Sequence, residues 1–218
     1  MKKTILIIAS AFMMYSFANG QDAYTKQMQQ QVKMLDNANT IKDYEQLAAN
    51  FMRLAQAEKT QWLPYYYSAF CDAKVGWLKQ DDPDNIEPFA NKADEEIKQA
   101  QALIDTGKQK TELSELYCVL SMINRARVFI NPSTYGRQYG PAASRYIRLA
   151  EKANPDNPRA LYLDGWEKFS TPKMWGGDKL KAKELLETAK QKLDNNTVSG
   201  IEPHWGKKEV QDILNQLK

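Results

Sequence analysis

The chain has 218 residues, enough for one domain with a sizeable core. Its formal net charge is +3 and falls to +1 once Lys2 and Lys3 are set aside, and such a near-neutral balance excludes the basic stripe of a nucleic-acid binder. Gly and Pro number only 10 and 9, they stand between periodic segments, and alternating strand patterns are missing, so the composition is that of an all-helical protein.

The N-terminus reads as a secretory signal. Lys2 and Lys3 form a charged start, Ile5 to Phe17 is an apolar run, and Ala18-Asn19-Gly20 is a small-x-small cleavage site. The run is short of the roughly 20 residues of a membrane span. Residues 1–20 are therefore expected to be a signal peptide of bacterial type, the alternative being an uncleaved anchor, with the working domain over 21–218. No cysteine stands near the cleavage site to carry a lipid. No later apolar run approaches a membrane span, so no stable membrane insertion is expected and the mature chain is placed in the periplasm or outside the cell.

Downstream, apolar spacing and punctuation predict helices over 22–37, 40–58, 62–80, 84–105, 110–130, 140–153, 157–169, 178–193 and 206–217. Asp81-Asp82-Pro83-Asp84-Asn85 separates the third from the fourth, with Asp84 or Asn85 as the expected cap; the acids read as a solvated turn, since the glycine and distal glutamate of a calcium loop are missing. Asn131-Pro132 and Thr106-Gly107 end other helices, and the stretch from Asn131 to Gly140 is expected to be loop. In EKANPDNPRALYLDGW, Pro155 closes one helix and Pro158 sits at the first turn of the next, where a missing N–H costs little.

A repeat runs through these helices. Ala48-Met52-Ala55, Ala93-Ile97-Ala100, Ala143-Ile147-Ala150 and Ala182-Leu186-Ala189 share a small–large–small stripe at steps of four and three, and Val210-Leu214-Leu217 repeats it with larger residues. Such steps keep the side chains on one helical face. In the alternate helices Cys71, Cys118 and Gly165 recur at intervals of 47 (118−71 and 165−118) as small residues. This alternation resembles the tetratricopeptide repeat family, helix-turn-helix units of about 34 residues, most closely from Ala143 to Ala189. Leu161 and Asp164 depart from the family's tryptophan and leucine positions.

The resemblance implies an all-α, right-handed superhelical array of antiparallel helix pairs: a TPR-like α-solenoid of about four pairs with a C-terminal capping helix. It also implies a concave groove that binds a protein or peptide partner in the cell envelope. Carried over from the small positions, the groove residues are Tyr65, Ser68 and Asp72 in the first repeat, Glu112, Glu115 and Val119 in the second, and Arg159, Tyr162 and Trp166 in the third. The alternative is a small-molecule binder whose pocket is walled by aromatics.

The remaining chemistry is sparse. Cys71 and Cys118 form an even count for a disulfide, but stacked helices hold equivalent positions about 8–10 Å apart, which favours two buried thiols. His204 is the single histidine, no serine elbow accompanies it, and catalysis, a metal site and a cofactor are not expected. Tyr65-Tyr66-Tyr67 cannot all face a core, so one ring is expected to reach the surface or a groove. Tyr139-Gly140, Trp175-Gly176 and Trp205-Gly206 each precede a predicted helix, which suggests a ring folded back on the first turn as a staple. Asn195-Asn196-Thr197 is a glycosylation sequon, of meaning only in a eukaryotic source.

Overall fold

Helices account for all the regular structure in the computed structural model, which describes residues 22–195 and 200–218; no strand occurs among them. The predicted signal at 1–20 and the Asn196 and Thr197 positions of the sequon lie outside the described residues. The helices are α1 (22–35), α2 (Ile41–Ala57), α3 (Trp62–Leu78), α4 (Glu87–Ala102), α5 (Lys110–Ile130), α6 (Tyr135–Ala153), α7 (Pro158–Ser170), α8 (Lys179–Asn195) and α9 (Lys207–Gln216).

The punctuation acts as capping chemistry. Thr40 and Asp43 form a reciprocal capping box at the start of α2. Asn157 caps α7 by accepting the Arg159 N–H, and Pro158 takes the first helical position. Two boundaries differ from expectation. Pro83–Asn85 forms a short 3-10 turn in which Asn85 donates to Asp82, so neither Asp84 nor Asn85 caps α4. Helix α6 starts at Tyr135 because Asn131 accepts from the Ser133 and Thr134 N–H groups and turns the chain at once, and Pro141 is carried inside the helix.

The small–large–small stripes are the packing faces. Ala93, Ile97, Ala100, Ala143, Ile147, Ala150, Ala182, Leu186 and Ala189 are all buried. Helix α2 packs on α3, α3 on α4, α5 on α6 and α7 on α8, while α3 meets α5 and α5 meets α7. Two glycines set close approaches between helices. A Cβ on Gly76 would stand 2.9 Å from the Ala126 Cβ, and one on Gly165 would stand 2.8 Å from the Leu186 Cγ. Cys71 and Cys118 are buried free thiols, and burial pushes both thiols up from their usual pKa. The predicted residue types thus build the predicted helix pairs, and the common ground with the sequence reading is an all-helical, paired-helix architecture.

Candidate functional site

The centre of the molecule is a buried polar network where α3, α5 and α7 meet. The Glu115 carboxylate accepts from the Tyr66 hydroxyl at 3.0 Å, from Asn157 Nδ2 at 2.8 Å, and from Arg159 Nη2 at 2.6 Å. Arg159 Nε adds a contact at 2.7 Å to the other oxygen, so the pair is bidentate. Burial works against the Arg159 charge, but Glu115 outweighs it and holds the guanidinium pKa above its usual value. Burial likewise pushes the Tyr66 phenol up, with Glu115 adding to the shift. Asn157 also donates to the Ser114 hydroxyl at 2.9 Å, tying the start of α7 to α5.

This network corrects the expected groove. Ser68, Asp72, Glu115, Arg159 and Tyr162 were assigned to an open binding face, yet they are 0%, 1%, 2%, 6% and 4% exposed. Val119 is buried as well. The Ser68 hydroxyl lies 3.0 Å from the Ala48 carbonyl and 2.8 Å from Glu96 Oε1, and Asp72 pairs with Lys92 at 2.9 Å. Tyr65, Glu112 and Trp166 are half-buried. Glu112 lines a cleft, whereas Trp166 is held by Trp77, at a ring separation of 4.7 Å, and by Arg125.

Two covers account for this: Ser68 and Asp72 face α2 and α4 through Ala48, Glu96 and Lys92, and the C-terminal segment covers Tyr162. Residues 201–209 fold back across α3 and α7. Trp205 stacks on Phe70 with ring centroids 4.7 Å apart, meets Tyr162 edge-on, and donates its indole N–H to Tyr66. Tyr67 donates to the Ile201 carbonyl at 2.9 Å, and Lys74 pairs with Glu209 at 2.8 Å. A peptide laid on this face would have to displace all of these contacts. Of the three adjacent tyrosines, Tyr66 and Tyr67 are buried and Tyr65 is the half-exposed one.

The aromatic-glycine pairs also differ from one another. Only Trp205-Gly206 stands directly before a helix, with Gly206 at φ 108 as the N-cap of α9. Tyr139 lies inside α6 beneath Arg127, and Trp175 is 73% exposed. The staple expectation therefore fails for those two.

Two clefts flank the 200–206 segment. The larger, about 660 Å³, lies between α5, α7 and α8 and is lined by Trp62, Thr188 and Gln191 with the acids Glu112, Asp156 and Glu202. Its lysine, Lys192, is paired with Asp156 at 2.7 Å. The smaller, about 360 Å³, lies between α1, α2, α3 and the start of α9. Its walls include Leu35, Tyr44, Tyr67, Phe70 and Trp205, together with the acids Asp36, Glu209 and Asp212. Lys74, Lys207 and Lys208 stand around it, and so does His204, whose Nε2 lies 2.8 Å from Asp36 Oδ1 and whose Nδ1 lies 2.9 Å from the Glu202 carbonyl. Lys74 also lies over the Tyr44 ring at 5.6 Å. Burial pushes the Glu209 carboxyl up, but Lys74 outweighs it and keeps its pKa below the usual value.

A cleft with aromatic walls and ammonium groups in its lining suits a flat, hydrophobic molecule that carries carboxylates. Sequence reasoning singled out Trp205 and the Tyr65–Tyr67 cluster but not their partner Phe70, nor Tyr44 or Lys208. No local signal marks those residues, because the cleft joins the first third of the chain to its last turn.

No protein-family model and no curated protein sequence matches the chain. Among solved structures, the HusA haemophore from Porphyromonas gingivalis is similar, with 32% sequence identity and a TM-score of 0.78 over 89% of this chain and 92% of that one. That likeness overturns the expectation of a protein- or peptide-binding scaffold and favours the small-molecule alternative. At this identity and coverage, the chain belongs to the family of the HusA haemophore.

Proposed function

We propose that this protein is a carrier of haem or a closely related flat tetrapyrrole, held in the aromatic cleft between α1, α2, α3 and the 204–209 segment. The observation that carries the reading is the likeness to a haemophore along nearly the whole of both chains. The cleft supplies matching chemistry. Phe70, Trp205 and Tyr44 offer apolar and π surface, and Lys208 lines the cleft beside Lys207, which is paired with Asp194 at 2.7 Å. The larger cleft suits such an anion less, because Glu112, Glu115, Asp156 and Glu202 outnumber Arg159 and Lys192 there, whereas Lys74, Lys207 and Lys208 balance Asp36, Glu209 and Asp212 in the aromatic cleft.

On this reading the helix pairs form a TPR-like array reused as a ligand scaffold, the chain is a carrier and not an enzyme, and the apolar N-terminal segment sends it out of the cytoplasm. The test is a titration with ferric haem followed by its Soret band. Asn39→Trp places a bulky ring in the aromatic cleft, and Gln191→Trp does so in the larger one; both positions are exposed. Haem binding weakened by Asn39→Trp and kept by Gln191→Trp supports the proposal. No saturable Soret change, or weakening by Gln191→Trp alone, overturns it.

A further inference from the structure

The turn between α7 and α8 and the first turn of α8 carry three large apolar side chains with almost no protein around them. Met174 is 82% exposed, Trp175 73% and Leu180 84%. Scattered exposed apolar residues are ordinary, but here they are gathered within seven positions.

The turn is built to hold them outward. The Trp175 and Gly177 N–H groups both donate to the Pro172 carbonyl, at 2.9 and 3.2 Å, and the Asp178 N–H reaches back to the Lys168 carbonyl at 3.0 Å. Gly176 adopts φ 95, a conformation that favours glycine. A Cβ on Gly177 would fall 1.7 Å from the Thr171 carbonyl oxygen, so the two chain segments touch through backbone alone. Asp178 then caps α8 through the N–H groups of Leu180 and Lys181. A backbone pinned this closely presents its side chains without a loss of chain entropy on contact.

The charge around the turn has one sign. From Lys168 to Lys183 there are five lysines and a single acid, Asp178, which is engaged in the cap. Lys173 and Lys179 flank Trp175, are exposed, and make no ion pair among the described residues. Glu184 and Glu187 stand further along α8 and face Lys181 and Lys183. The chain as a whole is close to neutral, so this concentration is local.

We propose that the 173–180 turn is a peripheral docking point for an anionic lipid surface: Met174, Trp175 and Leu180 enter the headgroup boundary while Lys173 and Lys179 meet lipid phosphates. Tryptophan and lysine side by side are the composition of a membrane–water interface. The apolar part is three outward side chains, which suits insertion into a fluid boundary. No helix among the described residues is long and apolar enough to cross a membrane, so the contact is an adsorption and not a span. The turn is formed by α7 and α8 rather than by the elements around the aromatic cleft, so this inference stands apart from the haem reading.

The experiment is vesicle co-sedimentation of the chain from Gln21 onward, which contains every residue of the described core. Binding is expected to vesicles containing anionic lipid, to weaken with salt, and to be poor on purely zwitterionic vesicles. Trp175→Ala, and separately Met174→Ser with Leu180→Ser, should lower it about tenfold, the scale of burying one large apolar side chain. Lys173→Glu with Lys179→Glu should lower it on anionic vesicles. Trp emission in the unaltered chain should be quenched by brominated lipid, and less so after Trp175→Ala. Absence of vesicle binding, or binding unchanged by all of these variants, overturns the proposal. So does loss by these variants of a defined protein contact with no effect on vesicles, which would make the turn a protein docking point. Haem titration of the same variants keeps the two readings separate, since it should be unchanged by every substitution in the turn.

Discussion

The Trp205 indole N–H donates to the Tyr66 hydroxyl at 2.8 Å across 139 residues of sequence, and Tyr66 passes its own proton donor to the buried Glu115 at 3.0 Å. The C-terminal segment is thereby connected to the ion pair at the centre of the fold. The ring of Trp205 also forms part of the aromatic cleft, so one side chain serves both packing and the proposed ligand wall.

Trp205→Phe should preserve the stack on Phe70 while losing the hydrogen bond, at a cost of about 1 kcal/mol. Trp205→Ala should lose both, at about 3 kcal/mol. Urea unfolding midpoints compare the two. Equal losses would mean that the stack adds nothing.

Glu115→Ala leaves Arg159 charged, 6% exposed and without its carboxylate. Removing one partner of a buried pair costs about 3–5 kcal/mol, so the variant should be strongly destabilised or unfolded. Arg159→Met with Glu115→Leu should recover much of the loss, because it removes both charges at once. Circular dichroism melts of the single and double variants measure the difference.

The pair formed by Asp72 and Glu96 makes stability depend on pH. Burial, with Asp72 beside it, pushes the Glu96 carboxyl from its ordinary 4.5 up to about 8, and burial also raises Asp72. A carboxyl whose folded pKa is raised contributes stability that is fully present below the unfolded value and is lost as pH rises through the folded one. Stability should therefore decline between about pH 4.5 and pH 8 through this group. Glu96→Gln keeps an acceptor for the Ser68 hydroxyl and cannot ionise, so it should flatten that decline. Denaturant unfolding across the pH range, with and without the substitution, is the measurement.

Gly165→Ala places a methyl 2.8 Å from the Leu186 Cγ at the α7–α8 contact. Overpacking of this kind costs about 1–3 kcal/mol. Combined with Leu186→Ala the cost should be clearly less than the sum of the two single changes, because the shortened side chain vacates the space. Additive losses would place the strain elsewhere.

Cys71 and Cys118 should resist a thiol reagent in the folded protein and both react once it is unfolded, since each is wholly buried and its thiolate is disfavoured. Rapid labelling of either in native buffer would contradict that burial.

The helices were legible because helical periodicity is a local property. Ala143, Ile147 and Ala150 announce a buried stripe from their spacing alone, and Asn157-Pro158 announces a start from capping chemistry within three residues. Gly165 could be marked as a close-packing site before its neighbour Leu186 was known. What the spacing of a helix does not contain is the identity of whatever covers its buried face. Tyr162 is expected on an open groove because the repeat pattern stops at the helix pairs, and Ser68 and Asp72 because the pattern does not show that they face α2 and α4. The segment that closes the groove does so through contacts such as Tyr67 to Ile201 and Lys74 to Glu209, which span 134 and 135 residues.

The two Trp-Gly pairs show the same division within a dipeptide. Trp175-Gly176 and Trp205-Gly206 are alike as sequence, and both glycines take a positive φ. One indole is 73% exposed on a turn, and the other is stacked on Phe70 beside the proposed haem site. Local sequence determined that the chain turns at each pair and that a helix follows. The choice between an outward ring and a packed one was made by which side chain the rest of the fold brought opposite it, and that depends on tertiary contacts which no short stretch of sequence encodes.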